Sequence, residues 1–245
     1  MLIEPGLHLL ASGAGGFDLT DRYDCHVWAF SGAFGTVLFD AGAGRQPGAI
    51  LERAAATGLA WPRPVRLFLT HAHADHGGGA AALRELLGAR VHAGAMTAGW
   101  LARGDEAAVS LPAARRAGLY PEDYRYAPCP VDELVEPGVT CVLDGLAVTP
   151  IATPGHSADH IAYLVAREER RWLVGGDCLF HGGRVVWQDT WDSSVQATAA
   201  TLRGLAAVPF DALLPGHLAF SLKDGRRHLE AALARLDQLL CPLSI

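Results

Sequence analysis

The stretch Thr70-His71-Ala72-His73-Ala74-Asp75-His76-Gly77-Gly78 constrains this chain more than any other. Four side chains with metal-ligand chemistry, His71, His73, Asp75 and His76, fall within six residues and are followed by three glycines. Val65 to Leu69, just ahead, reads as a short buried strand. Ala80 to Leu87, just behind, reads as a helix with Leu83, Leu86 and Leu87 on one face. The ligands therefore occupy a strand-to-helix loop. Alternation lets His71 and His73 point one way along an extended turn while Asp75 and His76 reach a second point nearby. That pattern suits two adjacent metal ions better than one tetrahedral site. A polar loop rich in histidine by chance has no packing use, so the metal reading is preferred.

These residues resemble the His-x-His-x-Asp-His signature of the metallo-β-lactamase superfamily. The resemblance implies an α/β fold, a four-layer αβ/βα sandwich with its site at one edge of two facing sheets. It also implies two further histidines and a bridging carboxylate, each from its own loop. The chain offers all three. A strand into Ile151 ends in Thr153-Pro154-Gly155-His156-Ser157, a Pro-Gly turn followed by histidine. Another, Arg171 to Gly176, ends at Asp177-Cys178-Leu179-Phe180, and a last one from Phe210 to Leu214 ends in Pro215-Gly216-His217. By the resemblance, His71, His73 and His156 hold one metal, Asp75, His76 and His217 hold the second, and Asp177 bridges them. Asp40, in the Asp-x-Gly at the end of Thr36 to Phe39, is implied to support a metal-binding histidine, with turn capping as the plainer alternative.

Other residues near these motifs carry weaker signals. His160 reads as a strand-start histidine slightly more readily than as a support for the ligands. Cys178 reads as a small core residue, since Asp177 already occupies the motif position. Gly155-His156-Ser157-Ala158-Asp159 is a near miss for a nucleophile elbow, lacking the last glycine and the following helix, so Ser157 is not assigned as a nucleophile. Thr70 either fixes its neighbouring histidine or simply ends a strand. His181 and Trp187 to Trp191 are placed on a pocket rim without a catalytic role.

Length and composition fit one large α/β domain spanning residues 1–245. The segment from about 95 to 128 interrupts the β/α rhythm with aromatics and prolines. It reads equally as a pocket-covering insertion or a surface excursion packing its own aromatics. A net charge of −6 argues against nucleic acid as the main partner. Five scattered cysteines without a C-x-x-C pair suggest reduced thiols. The amino terminus lacks the basic and apolar regions of a secretory signal, and Cys25 to Phe39 is too short and glycine-rich to span a bilayer. A cytoplasmic protein acting on a small molecule, away from membranes, is the expectation.

The complete ligand set implies an active, zinc-dependent hydrolase with two Zn2+ ions, Mn2+ or Fe being the other candidates. A metal-bridging hydroxide would attack a small-molecule ester, thioester, lactone or lactam carbonyl, with Asp75 orienting it. The alternative implied by the family is a mononuclear iron persulfide dioxygenase using His71, His156 and Asp177. Lys223, Arg226 and Arg227 fall in the region where glutathione thioesterases of the family carry a basic patch.

Overall fold

The computed structural model describes every residue except Phe34 and Asp144. The chain divides into two compact units, Met1–Val135 and Glu136–Ile245, and each carries one sheet. The architecture is mixed α/β with two sheets, one of seven strands and one of five.

In the first unit the strands are β1 (Leu2–Glu4), β2 (Leu7–Ala11), β3 (Val27–Ser31), β4 (Thr36–Phe39), β5 (Val65–Phe68), β6 (Arg90–Ala93) and β7 (Glu133–Leu134), and they lie in the sheet in chain order. β1 to β4 are antiparallel neighbours, and β4 to β7 are parallel. Parallel neighbours need a crossover. Helix α1 (Pro47–Ala56) supplies the first, α2 (Ala74–Gly77) with α3 (Ala80–Leu87) the second, and α4 (Ala95–Arg103) with α5 (Leu111–Arg116) the third. β2 and β4 are buried at every position, so they read as continuous apolar runs and not as alternation. β4 and β5 run the same way, which brings their carboxyl ends, Asp40 and the Thr70 to His76 stretch, to one edge.

Two expectations need correction here. Leu83 and Leu87 are buried in the core, but Leu86 is 49% exposed, because 100° per residue carries it off the face that its neighbours share. The metal loop is also not extended throughout: Asp75 and His76 lie on the helical turn α2. The turn read at Gly32 and Gly35 contains Phe34, and the one before Gly145 contains Asp144. Both of those residues lie outside the described ones.

In the second unit β8 (Cys141–Leu143), β9 (Leu146–Ala152), β10 (Ile161–Arg167) and β11 (Arg170–Gly176) form an antiparallel meander. β12 (Ala212–Pro215) pairs parallel to β11 after the crossover helix α6 (Val195–Leu205). β9, β11 and β12 therefore share one direction, and the three loops carrying His156, Asp177 and His217 leave the same edge. Ser194 caps α6, its Oγ accepting from the Ala197 N–H at 3.2 Å. The last helix, α7 (Arg226–Asp237), stops short of Leu240. Buried Leu173, Leu202, Leu213 and Leu229 form the core of this unit. No helix among the described residues is long and apolar enough to cross a membrane.

Candidate metal centre

The first unit contributes a hydrogen-bonded chain behind its histidines. Asp40 Oδ2 lies 2.8 Å from His76 Nδ1, with both side chains buried. Asp40 Oδ1 accepts from the Thr70 backbone N–H at 2.8 Å, and the Thr70 hydroxyl donates to the same carboxylate at 2.9 Å. With its hydrogen given to Asp40, Thr70 Oγ1 accepts from His71 Nδ1 at 3.0 Å. Both imidazoles thus carry hydrogen on Nδ1 and turn a basic Nε2 outward, the tautomer a metal ligand needs. The rings of His71 and His76 are 4.1 Å apart and those of His71 and His73 4.6 Å apart, and Asp75 Oδ2 lies 3.5 Å from His76 Nε2. Asp40 takes a left-handed backbone conformation, φ 62°, uncommon for a non-glycine residue.

The segment from 95 to 128 grips this loop from behind. Tyr124 Oη donates to the Ala43 carbonyl at 2.8 Å, with the Ala74 carbonyl 3.3 Å away. Tyr120 stacks on Tyr124 and on Tyr23 and faces the Asp75 carboxylate. Burial, helped by the charge of Asp75, holds the Tyr120 phenol above its ordinary range. The glycines after His76 are explained by this packing. A Cβ on Gly78 would meet the Ala74 oxygen and Tyr124 Oη at 2.3 Å, and one on Gly79 would meet the Ala41 oxygen at 2.1 Å.

The second unit carries a set of its own. Asp177 Oδ2 lies 3.5 Å from His156 Nε2 and 3.6 Å from His217 Nε2. The His156 loop is fastened to α6: Ser194 N–H donates to the Gly155 carbonyl at 2.8 Å and the Thr201 hydroxyl to the Pro154 carbonyl at 2.7 Å. Gly155 is required there, since its φ is 142° and a Cβ would meet Thr198 Oγ1 at 2.4 Å. Gln188 Nε2 donates to the His156 carbonyl at 2.9 Å, so the segment around Trp187 braces the loop.

His160 departs from its plainer reading. It is buried and bonded at both ring nitrogens, to the Asp177 N–H at 3.0 Å and to Thr153 Oγ1 at 2.7 Å. Ser157 Oγ donates to Asp159 at 2.6 Å, which accounts for its hydroxyl without a nucleophilic role. Cys178 is buried among Leu173, Leu179 and Val185, and burial pushes its thiol up to about 12. The His181 ring lies tilted at 45° against His228 with centroids 4.4 Å apart, and Trp191 is exposed. Arg226 donates to the Val208 and Ala206 carbonyls and lies over the Phe210 ring, a structural clamp on the end of α6.

Sequence reasoning missed Tyr120, Tyr124 and Cys25. The Cys25 sulfur lies with Asp40 and His76 in a buried group of possible ligand atoms, though burial pushes its thiol up, against the thiolate form. The remaining donors are imidazoles and carboxylates, a set that fits Zn2+, Mn2+ or iron.

The family model described as Lactamase_B, Metallo-beta-lactamase superfamily, matches residues 20–217. The chain is 32% identical over 174 residues to a hydroxyacylglutathione hydrolase of Acidiphilium cryptum, covering 69% of this chain and 58% of that protein. It is 30% identical over 94 residues to a thioesterase of Emericella nidulans, covering 38% of this chain and 26% of the relative. The chain thus spans less than two thirds of either relative. Among solved structures, a HARLDQ-motif metallo-beta-lactamase of Cronobacter sakazakii matches with a TM-score of 0.68 at 22% identity, covering 96% of this chain and 85% of that one. A subclass B3 metallo-beta-lactamase of Bradyrhizobium japonicum matches with a TM-score of 0.66 at 24% identity, covering 88% and 86%. These likenesses show the fold: the two-sheet α/β arrangement is that of the metallo-β-lactamases.

Proposed function

The chain belongs to the metallo-β-lactamase superfamily, and from that premise we propose a metal-dependent hydrolase of a small-molecule ester, thioester, lactone or lactam. The observation that carries this reading is the Asp40–Thr70–His71/His76 network. A buried carboxylate that sets two imidazole tautomers is costly unless those rings have work to do. On this reading His71, His73 and His156 hold one ion, Asp75, His76 and His217 a second, and Asp177 both, with zinc the first choice. The names of two relatives, a hydroxyacylglutathione hydrolase and a thioesterase, favour a thioester within that substrate range.

Bound divalent ions would supply a hydroxide near neutral pH and polarise the carbonyl under attack. The residues of this chain do the rest. Asp75, which Tyr120 faces, accepts a hydrogen bond from the attacking water and aims it. Asp40 and Thr70 keep the Nδ1 protons of His76 and His71 in place, so neither ring can rotate its lone pair away. Asp177 sets its carboxylate between His156 and His217.

The test is metal content of protein purified without added metal, followed by a panel of thioesters, lactones and esters. Two zinc or manganese ions per chain with turnover of a panel member is the expected result. No metal after zinc reconstitution would overturn the reading. One iron per chain, with oxygen consumed in the presence of a persulfide, would assign the oxidative chemistry to His71, His156 and Asp177 instead.

A further inference from the structure

His160 stands four residues beyond His156, at the head of β10, with its ring buried and no place among the ligands. Its two nitrogens define its chemical state. A backbone N–H can only donate, so the 3.0 Å contact from the Asp177 N–H leaves His160 Nε2 without hydrogen. The ring hydrogen then sits on Nδ1 and is donated to Thr153 Oγ1 at 2.7 Å. Thr153 can take that role because its own hydroxyl hydrogen has the carbonyls of Ile151 and His160 within 3.5 Å. The Thr153 N–H also donates to the His160 carbonyl at 3.0 Å, which ties the ends of β9 and β10 together beneath the ring.

The peptide that His160 grips is gripped from its other edge too. The Gly176 carbonyl accepts from the Gly216 N–H at 2.7 Å, while the Asp177 N–H of the same peptide plane donates to His160. One edge is therefore fixed by the loop that leads to His217 and the other by the strand that follows His156. A plane held at both edges fixes the Asp177 Cα and limits the swing of its carboxylate, which lies between the His156 and His217 rings.

We propose that His160 is a positioning residue for Asp177, a neutral Nδ1–H imidazole that clamps the Gly176–Asp177 peptide so that the carboxylate stays aimed at its metals. The proposal rests on the reading that Asp177 is a metal ligand.

Two measurements decide it, neither using substrate. Long-range 1H–15N correlation spectra of the zinc-loaded wild type, with His160→Gln as the assignment control, should show the His160 ring neutral and protonated on Nδ1. A ring protonated on Nε2 would overturn the proposal. Competition with a zinc chelator should show His160→Leu losing about 10- to 100-fold in affinity for at least one ion. His160→Gln, whose Oε1 can still accept from Asp177, should recover most of that loss. Wild-type affinity in His160→Leu, or equal losses in both variants, would overturn it, as would a wild type that binds no zinc. A wild type that binds zinc but hydrolyses nothing in the panel would retire the hydrolase reading and leave the His160 result standing.

Discussion

Asp40 and His76, thirty-six residues apart in the chain, meet through a 2.8 Å hydrogen bond between Oδ2 and Nδ1 inside the protein. The pair joins the carboxyl end of β4 to the helical turn α2, and through Thr70 it reaches His71 as well. Its consequence is chemical: two imidazoles are held in the tautomer that leaves Nε2 basic.

Asp40→Asn is therefore expected to weaken zinc affinity by about 10- to 100-fold, since the amide can no longer carry the charge that favours Nδ1–H on His76. Asparagine tolerates the left-handed backbone at this position, so the fold should survive. Chelator competition on the purified variant checks this, and unchanged affinity would remove Asp40 from the network's function.

His73→Ala and Asp177→Ala are expected to lose turnover of any accepted substrate while keeping the wild-type circular dichroism spectrum. Full activity in either variant would sink the assignment of that residue.

Gly78→Ala is expected to destabilise the protein by about 1–3 kcal/mol or more, because the added methyl would meet the Ala74 oxygen and Tyr124 Oη at 2.3 Å. Combining it with Tyr124→Phe should not rescue stability, since the Ala74 carbonyl belongs to the backbone and remains. Tyr124→Phe alone should cost about 1 kcal/mol for its bond to Ala43. Urea denaturation of the three variants measures all of these values, and full rescue in the double variant would refute the backbone clash.

Asp24 yields a pH-dependent prediction. Burial raises its carboxyl from 3.8 to about 6 while Oδ1 accepts the Ala43 N–H at 2.8 Å. Because the folded-state value lies above the unfolded one, its contribution is fully present below about pH 4 and is lost as pH rises through about 6. Asp24→Asn keeps the acceptor and cannot ionise. It should exceed the wild type in stability at about pH 7.5, by at most about 3 kcal/mol, with the difference vanishing near pH 4. Denaturant melts at the two pH values test this, and a variant less stable at the higher pH contradicts it.

Much of this arrangement could be read from the chain because strands with flanking turns leave local marks. Pro154-Gly155-His156 and Pro215-Gly216-His217 each place a histidine after a strand and a turn, and both lie where the pattern put them. The helical turn at Asp75 was not legible, since four residues are too few to show a period. β1 escaped notice for the same reason, being three residues long.

The sequence by itself determined which residues are candidate ligands and the order of the strands that carry them. It did so because side-chain chemistry, hydrophobic period and turn residues are all encoded within a few positions of each other. Only the tertiary structure decided which side chains stand behind the ligands. The pairing of Asp40 with His76, of His160 with the Asp177 N–H and of Tyr124 with the Ala43 carbonyl joins residues far apart in the chain. A hydrogen bond depends on direction and on tenths of an ångström, and those are set by how the strands register and pack.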